Sequence, residues 1–185
     1  MVARALPLSE WHTFNAVLGS AAGALTGLMF VVTALMAGRR LPEGAERLRR
    51  SFATPTIVHF SVVLALAGIL SMPRIGRNAL GAILSVGAGL LSVYAIWVIV
   101  NARRFRGTYA PDLEDLAWHF VLPMVTYLTM LGAGIFYWSS HDDAIYAVAG
   151  GMVILLIIGI HNAWDSAVFQ VFRGIGSRDS DPESR

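Results

Sequence analysis

The sequence predicts an all-α fold: a polytopic integral membrane bundle of five transmembrane helices, N-terminus outside and C-terminus cytoplasmic. Three observations carry this expectation. Of the 185 residues, 56% are apolar and only 14% charged, against about 25% charged in a typical soluble domain. The apolar residues gather into five long runs, near 11–37, 55–72, 79–100, 113–138 and 144–169, and runs of about 18 or more with few charges read as membrane spans. The arginines then divide unevenly between the gaps. Arg39, Arg40, Arg47, Arg49, Arg50, Arg103, Arg104, Arg106, Arg173, Arg178 and Arg185 fall on one side, against Arg4, Arg74 and Arg77 on the other. Basic residues concentrate on the cytoplasmic face of membrane proteins, which sets the orientation.

The elements follow in order. Residues 1–8 carry one arginine and lead into an apolar run of more than twenty residues. That run exceeds the apolar stretch of about 7–15 residues in a cleaved signal, so the first span is read as retained. It carries Gly19, Gly23 and Gly27 at four-residue spacing beside Ala16, Ser20 and Ala24, a small-residue face suited to close helix packing or to a homo-oligomer contact. Gly81, Ser85, Gly89 and Ser92 of span three repeat that spacing and offer a partner within the chain. The loop at 38–54 contains Pro42, Glu43 and the i,i+4 pair Glu46 and Arg50, which predicts a short surface helix. Span two has 18 residues, slightly under the roughly 20 that cross a bilayer.

The links at 73–78 and 139–143 are short, and short links make antiparallel neighbours. Two hairpins and a separate first helix are therefore expected. Asp112, Glu114 and Asp115 follow Pro111 in the first turn of span four, where acids complement the helix dipole. Pro123 lacks the N–H that would bond the carbonyl of His119 four residues back. Residues 1–173 thus form one membrane domain, and the polar stretch at 174–185 reads as a disordered cytoplasmic tail. Trp11, Trp138, Tyr137 and Tyr146 near one set of span ends, and Trp97, Trp118 and Trp164 near the other, form two interfacial belts.

The polar chemistry inside the spans is concentrated. Residues 115–119 read DLAWH and residues 161–165 read HNAWD. Spans four and five run in opposite directions, so the reversed order places both Asp nearer the cytoplasm and both His one turn deeper. His119 stands 19 residues from Trp138 and His161 stands 18 from Asp143, which puts both about 27–29 Å from the outer ends. His59 is 14 residues from Pro73, about 21 Å from its own outer end. Helical side chains lean toward the N-terminus of their helix, and this brings His59 and His161 toward a common depth. His59, His119, His161, Asp115 and Asp165 are the candidate site, as a metal-ligand set or as a proton or ion gate.

Ionisable groups at membrane depth are expensive and mark pathways, relays or ligands. Near an interface the same pairs also serve as plain structural anchors. Asn15, Thr26, Thr33, Thr126 and Thr129 would line a polar path or bond backbone carbonyls. The loop residues His141, Asp142 and Asp143 offer a weak external cation site. The chain has no cysteine, which excludes disulfides, thiolate metal sites and cysteine nucleophiles. It contains no phosphate-binding Gly-Lys loop, zinc-protease helix, serine-hydrolase elbow or nucleic-acid module.

The foremost expectation is an oligomeric channel or transporter for a small ion or proton in the cell membrane, the inner membrane in a bacterium. A membrane-embedded redox protein or enzyme holding a transition metal or haem is the second. A scaffold or accessory subunit using the glycine face is the third. The expected partners are the lipid bilayer, a small ion or proton and further copies of the chain, with no nucleic acid.

Overall fold

The computed structural model describes residues 8–37, 45–104 and 113–176. A 3-10 turn (Leu8–Trp11) enters α1 (His12–Ala37), followed by α2 (Ala45–Leu70) and α3 (Arg77–Arg104). A fourth rod is assembled from α4 (Leu113–Leu116), a π turn (Ala117–Val121) and α5 (Leu122–Trp138), and α6 (Ala144–Gly176) ends the described chain. Among the described residues every regular element is helical. The turns at 71–76 and 139–143 mark one end of the bundle, hereafter the turn end, and the opposite end is the loop end.

Four helical segments are long and apolar enough to cross a membrane: His12–Ala34, Arg77–Asn101, Ala117–Trp138 and Ala144–Asp165. The outer surface agrees with lipid contact. Val86, Leu90, Val93 and Trp97 are each 60% exposed or more and line one side of α3, a patch that a water-soluble surface rarely carries. The second expected span is the exception. Its apolar part is Pro55–Leu70, about 24 Å of helix, because the helix stops at Leu70 while upstream it continues into charged sequence. The short surface helix expected at 38–54 is not separate either: α2 begins at Ala45 and runs through Pro55 without interruption. Pro42 and Glu43 lie outside the described residues, as do the side chains of most arginines that set the orientation. At the far end, α6 runs through Gly174 to Gly176, past the start of the expected tail; residues 177–185 lie outside the described set.

Of the two expected hairpins, spans four and five form one, with α5 packed against α6, and spans two and three do not. The packing order is α1, α2, α6, α5, α3, and α2 and α3 barely touch although a short turn joins them. Both faces of α2 are already taken. On one side a Cβ at Gly19 of α1 would lie 3.0 Å from the Cβ of Ala67. On the other, a Cβ at Gly159 of α6 would lie 2.4 Å from the Phe60 ring. The small-residue stripe of α3 does not meet α1, as expected, but the fourth rod. A Cβ at Gly81 would come within 2.8 Å of the Cβ of Trp138, and one at Gly134 within 2.7 Å of the Ser85 backbone nitrogen. Without a hydrophobic drive between helices in lipid, such close backbone approach is what holds them together. Gly23 meets only Leu64, at 3.9 Å, and Gly27 meets nothing within 4 Å. The packing role of the α1 stripe therefore rests on Gly19.

Two details fix the turn end. Ser140 sits in the left-handed region with φ of 72°, and the His141 and Ser140 amides bond the Phe136 and Tyr137 carbonyls, the paired pattern of a Schellman cap. Arg77 at the start of α3 donates to Asp142 Oδ1 at 2.5 Å and to the Tyr137 carbonyl at 3.2 Å, and its guanidinium covers the Tyr137 ring at 5.1 Å. The Asp142 of the expected external cation site is thus occupied by an arginine. With side chains 37% and 44% exposed, the ion pair itself contributes under about 1 kcal/mol. A double-mutant cycle of Arg77→Ala and Asp142→Ala should show coupling of that size, with Arg77→Ala the costlier single change, since it also removes the carbonyl bond and the ring contact. Coupling above about 2 kcal/mol would show the pair to be far better shielded than its exposure indicates.

Candidate functional site

The site at the loop half of the bundle is built by α2, the fourth rod and α6. The Phe60–Gly159 contact sets α2 and α6 in register, so His59 and His161 lie within about one helical turn of the same level. Helix α6 holds His161 at the rim, partly buried. Its Nδ1 lies 3.0 Å from Asp165 Oδ2, an ion-pair distance without hydrogen-bond alignment, and its Nε2 lies 3.6 Å from Glu114 Oε1. The ring stacks on Trp118, with centroids 4.0 Å apart and planes 13° from parallel. One imidazole therefore stands between two carboxylates on an aromatic floor.

Inward from this rim, His59 is 2% exposed and Tyr127 is 0% exposed. They share a 2.7 Å hydrogen bond between His59 Nδ1 and the Tyr127 hydroxyl. The other ring nitrogen, Nε2, is buried with no hydrogen-bond partner among the described residues. A hydrogen-bonded imidazole–phenol pair in an apolar core holds a donor and an acceptor whose roles exchange with the tautomer. His119 is close enough to His59 for the two imidazoles to interact electrostatically, and its own ring is tilted against Phe120, 6.5 Å away between centroids. His59 thus lies in the core and His161 at the rim.

The fourth rod departs from regular helical pitch beside this site. Ala117–Val121 is a π turn, in which the Leu122 amide bonds the Ala117 carbonyl five residues back. Pro123 cannot donate to His119 and its ring crowds that carbonyl; one wide turn relieves the crowding. An extra residue in a turn rotates everything before it by about 100° relative to a regular helix. Trp118 of DLAWH stacks on His161 of HNAWD, and Glu114 supplies a second carboxylate beside that ring. The Asp115 side chain lies outside the described residues.

Among the described residues no group of three or more His, Asp or Glu is placed to hold a metal ion, and the Asp115 side chain of the expected five-residue set lies outside them. His59 is engaged by Tyr127, and His161 by the pair of carboxylates. Three of the four hydroxyls expected along a polar path bond carbonyls within their own helices. Thr26, Thr33 and Thr126 donate to the carbonyls of Ala22, Met29 and Leu122 at 2.7–2.8 Å. Glu114, Trp118 and Tyr127 are the members that spacing alone did not select. Trp118 lies inside the DLAWH motif, and a turn of different pitch was needed to bring it forward. Tyr127 had no marker beyond being a phenol eight residues past His119.

No protein-family model, no curated protein and no solved structure matches this chain.

Proposed function

We propose that this chain is a multi-pass membrane protein that moves protons, as an oligomeric channel or transporter in the cell membrane, with its N-terminus outside and α2 completing a fifth span. The observation that supports it is the His59–Tyr127 pair. A titratable, hydrogen-bonded pair buried in an apolar bundle is costly to maintain, and it connects through the neighbourhood of His119 to a histidine flanked by two carboxylates at the rim. In this reading Glu114 and Asp165 gather protons at the loop end, which the arginine distribution assigns to the cytoplasm. His161 accepts them, and His59 with Tyr127 holds the inner position.

Between α2 and α6 toward the turn end the packing is apolar, with Val63, Ala67, Val148 and Met152 buried. Passage to the far side therefore runs through a change in helix packing or a contact between copies. The π turn is the natural place for that change, since it holds one residue more than a regular turn and sits against His161.

The test is proton flux into vesicles carrying a trapped pH dye, driven by a potassium diffusion potential. Wild type should exceed empty vesicles, and His161→Ala should lower the flux at least tenfold while still inserting. Equal rates for wild type and His161→Ala would reject His161 as a carrier. A wild-type rate no greater than that of empty vesicles would reject proton movement altogether.

A further inference from the structure

Upstream of Leu122 the fourth rod carries one pattern twice, offset by a single residue. Glu114 and Trp118 form an i,i+4 pair of an acid and a flat ring, and Asp115 and His119 form the next. Such spacing sets both members of a pair on one helix face. In the structure the first pair meets His161. Glu114 Oε1 stands 3.6 Å from its Nε2, and the Trp118 ring lies on the imidazole with centroids 4.0 Å apart. The π turn at Ala117–Val121 selects that pair. It takes up one residue more than a regular turn, so residues at its start and before it occupy the places their successors would hold in an unbroken α-helix. Regular pitch through 117–121 would turn the segment by about 100° and shift it along its axis by about 1.5 Å. Position 115 would then stand where 114 now stands, and 119 where 118 now stands.

Little confines the segment to one register. No residue of the π turn is fully buried, and apart from its own rod the turn chiefly meets α6. The residues exchanged are alike in kind, acid for acid at 114 and 115 and ring for ring at 118 and 119. Pro123 crowds the His119 carbonyl in regular pitch and so favours the π register. Membrane helices nonetheless accept proline in regular pitch where a neighbouring group takes up the freed carbonyl, which keeps the α register within reach. We propose that residues 113–121 exchange between these two registers, and that the exchange swaps Trp118 for His119 against His161. The swap replaces an indole, a donor only, with an imidazole that both accepts and donates a proton. Its use as a gate rests on the proton reading above: the path is broken while Trp118 lies on His161 and joined when His119 takes that place. The exchange itself does not depend on that reading.

The chain has no cysteine, so pairs of spin labels report the register directly. One label goes on Leu113→Cys, whose native side chain is 81% exposed. The other goes on Val31→Cys of α1 or, in a second pair, on Val100→Cys of α3, both at exposed positions. The rotation carries a side chain at the helix surface through about 8 Å. Pulsed electron resonance in lipid bilayers should give two label distances in the otherwise unaltered chain. Pro123→Ala, which removes the crowding, should make the second distance the major one. Deletion of Ala117 removes the extra residue, holds Leu113 in its present place and should leave the first distance alone. One distance in both pairs, unmoved by Pro123→Ala, would overturn the exchange. Proton flux into vesicles separates the two readings. Two distances without flux would remove the gate and keep the exchange, whereas flux with one distance would keep the proton path and remove the exchange.

Discussion

Gly134→Ala is expected to destabilise the bundle by about 1–3 kcal/mol, whereas Gly132→Ala, two residues away on the same helix, is expected to leave stability unchanged or raise it. The contrast comes from what each new methyl would meet. At Gly134 it would lie 2.7 Å from the backbone nitrogen of Ser85, 2.9 Å from its Oγ and 3.0 Å from the Leu84 carbonyl carbon. Backbone atoms cannot rotate away, so α3 and α5 must separate along their whole contact. The Ser85 hydroxyl, which donates to the Gly81 carbonyl at 2.7 Å, shares that seat. At Gly132 nothing lies within 4 Å, and replacing a helix-interior glycine by alanine gains about 0.5–1 kcal/mol from reduced backbone freedom. Unfolding in graded mixtures of mild and denaturing detergent measures both. Similar effects for the two substitutions would mean that α3 and α5 are not in backbone contact.

The second large effect concerns the His59–Tyr127 pair. Tyr127→Phe removes the hydroxyl that bonds His59 Nδ1 and leaves a buried imidazole with less to bind. The expected loss is about 1–3 kcal/mol, the desolvation penalty of a stranded polar group. His59→Leu strands the phenol instead and should cost a comparable amount. The double variant removes both polar partners and should be less destabilised than the sum of the singles, with coupling of about 0.5–3 kcal/mol. Flux separates the chemical role from the structural one. If His59 holds a proton in transit, the double variant stays inactive although its stability recovers, with a rate at least tenfold below wild type. Recovery of flux along with stability would make the pair a structural anchor and nothing more.

Much of this molecule is written in one dimension. The apolar runs determine that the chain is helical and that most of its helices can cross a membrane, because length and composition of a run are local properties that a bilayer reads directly. The i,i+4 spacing of His161 and Asp165 likewise determines that these two side chains share a face, since helical pitch is the same wherever the helix is placed. Helix ends were partly visible: the turn near 139–143 follows its polar residues, while α2 and α6 extend beyond their apolar runs because a helix needs backbone bonds rather than hydropathy to continue.

Tertiary structure decided the rest. Which glycines matter depended on what stands opposite, so Gly134, Gly81 and Gly159 make the tight contacts while Gly27 of the regular stripe makes none. The choice of α6 over α3 as the neighbour of α2 came from complementary bulk, Phe60 against Gly159, which no single run contains. The site was decided by a π turn that rotates Trp118 and Glu114 onto His161, and by Tyr127 reaching His59 across 68 residues of chain. Periodicity assumes one pitch and sees one helix at a time. Contacts between helices depend on the rotation of each about its own axis, and that rotation is fixed only when the helices pack.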